Sequence, residues 1–470
     1  MNILRKILGL GGWKVKASYD AEKTTSGNRE YWKWADNLNA DQSNSPGVRE
    51  RLRDRARYEV ANNPWLDGMI QQVASDLVGV MPRLQLTDMD EMEANAIESA
   101  WAEWSEAVDL GETLRVAWMT KARDGEAFIQ LCDCPALPSR EKLYPQLIDC
   151  ERVRSPRMEM DTDDDMQADG VWFDAFGRPT AYSVAVKHPS VNADGPSVTV
   201  PAEYMIHLFN RTRPEQRRGV PMITSALPSV AILRAYTKAM LEKMENSASV
   251  AGVLKPSGID VDPEYEGIDG EPFRPFRLPS RSWVTLPLGY DAQQFEMSTP
   301  SDSQQSFALQ TKIECARCLL ATRNVVTGDS TAYTYASARI DAQNYDRSQR
   351  VERGKLEHDC LDKLFRSWWR EACPGKETPR HVWFWAGRPP IDPVKDANAE
   401  AKMMETGSRT LADVCMEDGR DWQAVTRQLF KEARFRQDMA KEYGVELQPA
   451  AQPAEDDKGE EDGRGSEKRD

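Results

Sequence analysis

Apolar residues recur at three- and four-residue steps over several long stretches of this chain, and between them lie short aliphatic runs broken by Gly, Pro and Asp. The first pattern predicts helices over Val48–Ala61, Trp65–Leu77 and Thr87–Val108, with Asn62-Asn63-Pro64 ending the first and Gly79 with Pro82 ending the second. The second predicts strands over Glu126–Cys132, Leu143–Ile148, Val171–Phe173 and Ala181–Val186, with a hairpin turn at Asp174–Pro179. Helical spacing returns from Met222 to about Ser247, where Pro228 either kinks the helix or marks its start. It reappears over Gln304–Ala321, and after a break at Asn324–Tyr335 it runs from about Ala338 to Ala372. Val250–Leu254 and Ser282–Leu286 read as short strands around a loop-rich unit, Pro256–Pro279. Ala397–Met404, Arg409–Met416 and Trp422–Tyr443 are terminal helices. The fold class is therefore α+β, and no internal repeat is present.

Composition narrows the function. The 470 residues allow two or three domains, and 40% hydrophobic with 29% charged residues suits an elongated chain or one that buries surface against neighbours. A net charge of −15 argues against tight, non-specific gripping of DNA phosphates, though not against DNA passing by. Five arginines, at 49, 51, 53, 55 and 57, occupy two faces of the first helix, and a solvated helix with Glu50, Asp54 and Glu59 as partners is favoured over a nucleic-acid patch. Eight scattered cysteines are no disulfide framework. No run reaches the roughly 18 apolar residues of a membrane span, and Met1–Lys16 reads as a basic arm rather than a signal peptide.

Catalytic chemistry finds little support. Four histidines are scattered without metal-ligand spacing. Cys315-Ala-Arg-Cys318 lies inside a helical pattern, so packing is the expectation rather than metal or redox work. The acidic run Asp161–Asp165 lacks the Gly and Glu of a calcium loop and reads as an exposed loop within Met158–Asp169. Gly354-Lys355 and Gly375-Lys376 lack the remainder of a phosphate loop. Neither cofactor, metal nor catalytic residue is expected.

Several ordered motifs do carry a resemblance. They are Asn28-Arg29-Glu30 with Trp32, Ala35, Asp36 and Leu38; Arg55–Asn63; Asp76-Leu77-Val78-Gly79; Pro82–Gln85; Asp124-Gly125-Glu126; Phe173–Tyr182; His207–Pro221; Thr327-Gly328-Asp329 with Tyr335–Arg339; and Ile391–Asp396. In this order and spacing, over about residues 18 to 445, the chain resembles the lambda-type family of tailed-bacteriophage portal proteins. Ala336 departs from the serine more usual there.

The resemblance implies a portal-type subunit with an α/β wing, a helical stem, a small clip and a helical crown, assembling into a ring, probably of twelve, at one capsid vertex. Laid on the chain, it implies an N-terminal arm (1–17), a wing in two parts (18–221 and 338–396) and stem helices (222–249 and 301–323). It further implies a clip (250–300), a tunnel loop (324–337), a crown (397–445) and a disordered acidic tail (446–470). Viral double-stranded DNA would pass through the channel during packaging, retention and ejection. The implied partners are the terminase large subunit, the major capsid protein and scaffold, and a head-completion or adaptor protein, with no membrane. The implied place is the virion, after assembly in the host cytoplasm.

The residues expected to face DNA in the tunnel loop are Thr327, Gly328, Asp329, Ser330, Thr331 and Tyr333. Asn324–Tyr335 has no Lys or Arg, which suits a surface that DNA slides past. The basic turn Arg211, Arg213, Arg217 and Arg218 either pairs with a neighbouring subunit, the favoured option, or faces DNA. The competing readings are a packaging nuclease or ATPase and a scaffold or adaptor without a channel.

Overall fold

The computed structural model describes residues 29–33, 35–155, 166–192, 195–249, 253–256, 290–293, 302–331, 333–387, 392–417, 419–420 and 422–444. The expected arm and tail lie outside these residues, as do most of the acidic loop, the Ser282–Leu286 strand and nearly all of the loop-rich unit. The end of the acidic loop that is described, 166–169, departs from an exposed loop, since Gln167–Ala168 forms a strand and Ala168 is buried.

The chain opens with a short turn of helix, α1 (Ala40–Ser43), then α2 (Pro46–Asn62) and α3 (Pro64–Val78). Pro46 and Pro64 each stand at the start of a helix, where proline loses no hydrogen bond and its fixed φ suits the first turn. β1 (Arg83–Leu86), α4 (Glu91–Ala107) and α5 (Leu110–Asp124) follow. β2 (Glu126–Asp133) is the middle strand of a three-stranded antiparallel sheet, flanked by β3 (Leu143–Ile148) and β8 (Met205–Phe209). A second antiparallel sheet runs in chain order through β4 (Gln167–Ala168), β5 (Val171–Phe173), β6 (Pro179–Ala185) and β7 (Ser197–Pro201).

Beyond the sheets, α6 (Leu227–Ser249) leads to β9 (Val253–Pro256), which pairs antiparallel with β10 (Tyr290–Gln293). α7 (Asp302–Ala316) returns alongside α6, with Tyr236 and Phe307 edge to face at 6.3 Å. α8 (Arg323–Thr327) is a short helix inside the expected break. α9 (Tyr335–Leu356) then passes through a π turn at Glu357–Leu361 into α10 (Asp362–Ala372), so the expected long helix is real but carries an inserted residue near its middle. β11 (His381–Phe384) returns to pair with β1, and α11 (Pro393–Glu405), α12 (Leu411–Glu417) and α13 (Trp422–Tyr443) end the described chain.

The main core lies where α3, α4, α5 and α10 meet the three-stranded sheet. Its centre is aromatic. Trp101 packs against Trp104 at 4.8 Å, Trp368 at 5.4 Å, and Phe365 and Trp383 each at 5.5 Å. Offset and edge contacts of this kind each add about 0.5–1.5 kcal/mol beyond area burial. A smaller core, with Phe128, Val171, Tyr182 and Val184, lies between the two sheets.

α6 resolves the question about Pro228. Ile223 and Thr224–Ala226 form a tighter turn, and the α-helix starts at Leu227, so Pro228 sits in its first turn. Leu227, Val230 and Leu233 are buried in the body, whereas Ile232, Leu241 and Met244 further on are exposed. α7 mirrors this, with Cys315 and Ala316 buried and Phe307 exposed. The two helices thus form an antiparallel pair rooted in the core at one end and uncovered at the other.

Candidate functional site

Two places carry the residues that the sequence singled out. The first is the junction feeding α6. Gly125 ends α5 with φ +97°, and a Cβ there would stand 2.5 Å from the Val220 carbonyl carbon. Gly219 faces it from the other side, where a Cβ would meet the Gly125 oxygen at 2.1 Å. The Met222 amide donates to the Ala122 carbonyl at 3.0 Å. The motifs Asp124-Gly125-Glu126 and Arg217-Arg218-Gly219-Val220-Pro221, distant in sequence, are therefore backbone-to-backbone neighbours.

Glu126 is the centre of this junction. Its carboxylate is fully buried and accepts from Arg218 Nε at 2.9 Å and Nη2 at 2.6 Å, from Arg53 Nη2 at 3.3 Å, from His207 Nε2 at 3.1 Å and from the Gly219 amide at 3.1 Å. Burial by itself would raise this carboxyl. The Arg218 charge and the hydrogen bonds from His207 and Arg218 outweigh burial and hold it well below the usual carboxylate range. Burial pulls the His207 imidazole below its ordinary value, against the hydrogen bond and charge of Glu126 and with the charges of Arg218 and Arg211. The imidazole is stacked between Phe128 at 4.3 Å and Phe209 at 4.4 Å.

Here the structure corrects the expectation for α2. Arg49, Arg53 and Arg57 recur at four-residue spacing and turn one face inward, and Arg49 and Arg53 are only 5% exposed. Arg49 pairs with Asp169, Arg53 with Glu126, and Arg57 with Asp124 at 3.1 Å, Asp149 at 3.2 Å and Glu151. Arg51 and Arg55 keep the solvated face. Glu59, expected as a partner within the helix, instead accepts from Arg234 of α6 through two bonds of 3.0 Å. The helix is a charged rivet, with one side sealed into the body.

The basic turn is also largely committed within its own chain. Arg218 is 1% exposed and bridges Glu126 and Asp169, so it faces neither DNA nor another subunit, which corrects its place in the expected set. Arg213 donates to the Leu38 carbonyl at 2.9 Å and to Ser43 at 3.2 Å. The Arg217 amide donates to Asp41 at 3.2 Å, and its guanidinium lies over Phe173 at 5.0 Å. Arg211 is exposed and lies over Phe209 at 5.4 Å. Together, Arg213 and Arg217 hold the segment around α1.

The second place is the loop between α8 and α9. Gly328 ends α8 with φ +64°, and its amide donates to Asn324 at 2.7 Å. Thr327 Oγ1 donates to the Arg323 carbonyl at 2.9 Å, and the Asp329 amide donates to Thr327 Oγ1 at 3.1 Å. The Asp329 carboxylate accepts from the Thr331 amide at 2.9 Å and hydroxyl at 2.7 Å, and these bonds lower its pKa. Ser330 and Thr331 are exposed. Tyr333 donates to Asp341 at 2.8 Å, and a reciprocal cap between Thr334 and Ser337 starts α9. Val326 is buried and roots the loop in the core. The result is a short polar loop folded on itself, with its one carboxylate engaged locally.

Other candidates resolve simply. Cys315 and Cys318 sit at the end of α7. Burial raises the Cys315 thiol and pushes Cys318 up to about 11, and Cys318 Sγ donates to the Cys315 carbonyl at 2.8 Å. These are protonated thiols in helix packing. Asp149, Glu151 and His188 approach one another, and the Arg57 guanidinium already lies on both carboxylates. Among the described residues, no helix is long and apolar enough to cross a membrane.

Comparison with known proteins fits this pair of sites to a class. The family model for phage portal protein, lambda family, matches residues 25–353, which contain both the junction and the loop. This chain belongs to that family. A probable portal protein of Halomonas phage phiHAP-1 is 22% identical over 444 residues, covering 85% of this chain and 83% of the relative. Two solved structures of gene transfer agent particles contain similar chains. One, from the neck of an empty particle, is 14% identical, covers 77% of this chain and 91% of its own, and has a TM-score of 0.48. The other, from a native virion, is 13% identical, covers 78% and 92%, and has a TM-score of 0.45. Family membership makes the chain a portal protein, a structural virion component rather than an enzyme, and implies a ring of identical copies.

Proposed function

We propose that this portal subunit lines a DNA channel with the α6–α7 pair as its stem and the α8–α9 loop as its tunnel loop. The wing is then formed by residues 18–221 and 338–396, the clip by 250–300 and the crown by 397–445. One observation carries the reading: α6 and α7 are anchored in the core at one end and bare at the other. Ile232, Leu241, Met244 and Phe307, all exposed in a single chain, are the surface that a neighbouring stem would cover.

The junction at Glu126 fits the mechanical task. Motor-driven DNA loads the stem, and a stem rooted by buried ion pairs and a glycine–glycine crossing transmits that load to the wing without changing its exit angle. The loop fits the chemical task. Each phosphate neutralised by a cation adds salt-dependent affinity, and the loop from Asn324 to Tyr335 offers none. Thr327, Gly328, Asp329, Ser330, Thr331 and Tyr333 are the residues proposed to face double-stranded DNA. Of the basic turn, Arg211 is the member best placed for a neighbouring subunit. The ring is proposed to have twelve copies, with its clip docking the terminase large subunit and later a head-completion protein, and its rim seated among the capsid and scaffold proteins.

Negative-stain microscopy of the purified chain tests the channel. Rings with an axial hole are expected. A monomer under every assembly condition, or a compact particle with no hole, overturns the reading.

A further inference from the structure

Two forks tie α6 and the turn that feeds it to the body, and water reaches only one of them. The first lies at the root, where Arg218 meets Glu126 with neither side chain more than 1% exposed. The second lies on α6 itself. Arg234 donates through Nε and Nη2 to the two Glu59 oxygens, each at 3.0 Å. Glu59 is fixed on its own side, since its side chain is 7% exposed and also accepts from Asn63 Nδ2 at 2.7 Å. The Arg234 side chain is 35% exposed, and its guanidinium lies over the exposed Tyr58 ring at 5.1 Å. Among the described residues, this fork is the last hydrogen bond or ion pair from α6 to another element, and Leu233 beside it is the last buried residue of the helix.

Direction separates the fork from the apolar contacts. Leu227, Val230 and Leu233 hold the helix against the core, but burial of apolar area is non-directional and sets no angle. Two parallel charge-assisted bonds do set one. Arg234 lies roughly 10 Å along the axis from Leu227, and Ser249 lies roughly 33 Å along it. A shift of about 1 Å at the fork therefore becomes roughly 3 Å at the far end.

We propose that the Arg234–Glu59 fork is a latch that sets the tilt of α6, and that its release swings the far end of the helix and changes the bore of the channel. The assignment rests on the portal reading and names the contact that holds the exit angle of the stem. Arg234 and Glu59 act here as positioning residues, and neither needs to touch DNA. The buried fork at the root stays closed through the motion, so α6 pivots without leaving the body. Ions reach the Arg234 guanidinium, so salt loosens the latch and spares the root. In a ring of identical copies every stem carries the same latch.

The test uses the full chain assembled into rings, with Arg234→Met, Arg234→Lys, Glu59→Gln and the Arg234→Met, Glu59→Gln double variant. Electron cryo-microscopy reads the position of the far end of α6, and filled particles read DNA retention. Arg234→Met is expected to displace or spread that end by roughly 3 Å and to weaken retention. Arg234→Lys, which keeps the charge and loses the fork, should fall between it and wild type. Glu59→Gln should move the stem in the same way, and the double variant no further than Arg234→Met. High salt should spread the wild-type stem and leave the Arg234→Met stem unchanged.

A contact that only added stability would lower the melting temperature and leave the helix where it stands. That outcome, additive shifts in the double variant, or a wild-type stem indifferent to salt overturns the proposal and leaves the portal reading standing. Should Arg234→Met fail to assemble, Arg234→Lys decides, since a displaced stem supports the latch and an unmoved one overturns it. Wild type that never forms rings overturns the portal reading, and this assignment with it.

Discussion

Arg218 and Glu126 meet through two parallel hydrogen bonds, of 2.9 and 2.6 Å, in a place where neither side chain is more than 1% exposed. A fork of this kind needs the planar guanidinium, and its removal leaves the carboxylate buried with its remaining donors. Arg218→Ala should cost about 3–5 kcal/mol, the usual result of breaking a buried pair from one side. Arg218→Lys should recover only part of it. Denaturant unfolding measures both, and a loss under about 1 kcal/mol for Arg218→Ala would contradict the assigned role.

Gly125 and Gly219 make a second, independent demand. Gly125→Ala places a methyl group on the Val220 backbone and forces a left-handed conformation. Left-handed strain of roughly 1–2 kcal/mol adds to overpacking of roughly 1–3 kcal/mol. The expected outcome is a soluble yield and melting temperature far below wild type. Gly177→Ala, at an open hairpin turn of similar φ (+75°), should cost the strain alone.

His207 sets a pH dependence. Its folded value is depressed, so the unfolded chain binds the proton more readily and stability rises with pH. The contribution is present above the unfolded value of about 6.5 and is lost as pH falls through the depressed folded value. Glu126, also depressed, adds a further loss that begins only below about 4.3. Melting temperatures from pH 8 to 4 should show the first decline in wild type and a flatter profile in His207→Gln. An unchanged profile would remove His207 from the account.

The loop prediction concerns passage rather than stability. Deletion of Asp329–Tyr333 should leave rings intact and impair DNA retention, and loss of ring assembly itself would count against a tunnel role. Asp329→Arg should slow packaging at low salt, with recovery as salt rises, because one added phosphate contact changes the salt exponent by about 0.9. Salt-independent slowing would point to a steric effect.

The helices and several strands were legible from spacing alone, and the Val171–Phe173 strand and Trp422–Tyr443 helix fall on their expected bounds. α5 was missed because its buried Lys121 and Asp124 interrupt the apolar pattern. β1 and β11 are each four residues long and pair across nearly three hundred residues, so neither announces itself locally. The arginines of α2 show why composition misled. Alternation along the chain hid the four-residue period of Arg49, Arg53 and Arg57, and their partners Asp169, Glu126 and Asp124 lie on other elements. Arg218 read as surface because arginine is almost never fully buried unless paired, and its pair is 92 positions away. The break before α9 was legible because a helix stop, a turn and a helix cap all lie within one short segment.

The hub also places a condition on how the protein is made. Arg49 and Arg53 leave the ribosome early, but the turn carrying Arg218 follows about 170 residues later. At about 5–20 residues per second, that is an interval of roughly 10–30 s. Throughout it the junction lacks the guanidinium that completes its centre. The junction therefore closes late, after both sheets have been synthesised, and α6 emerges only as its own foundation is being completed.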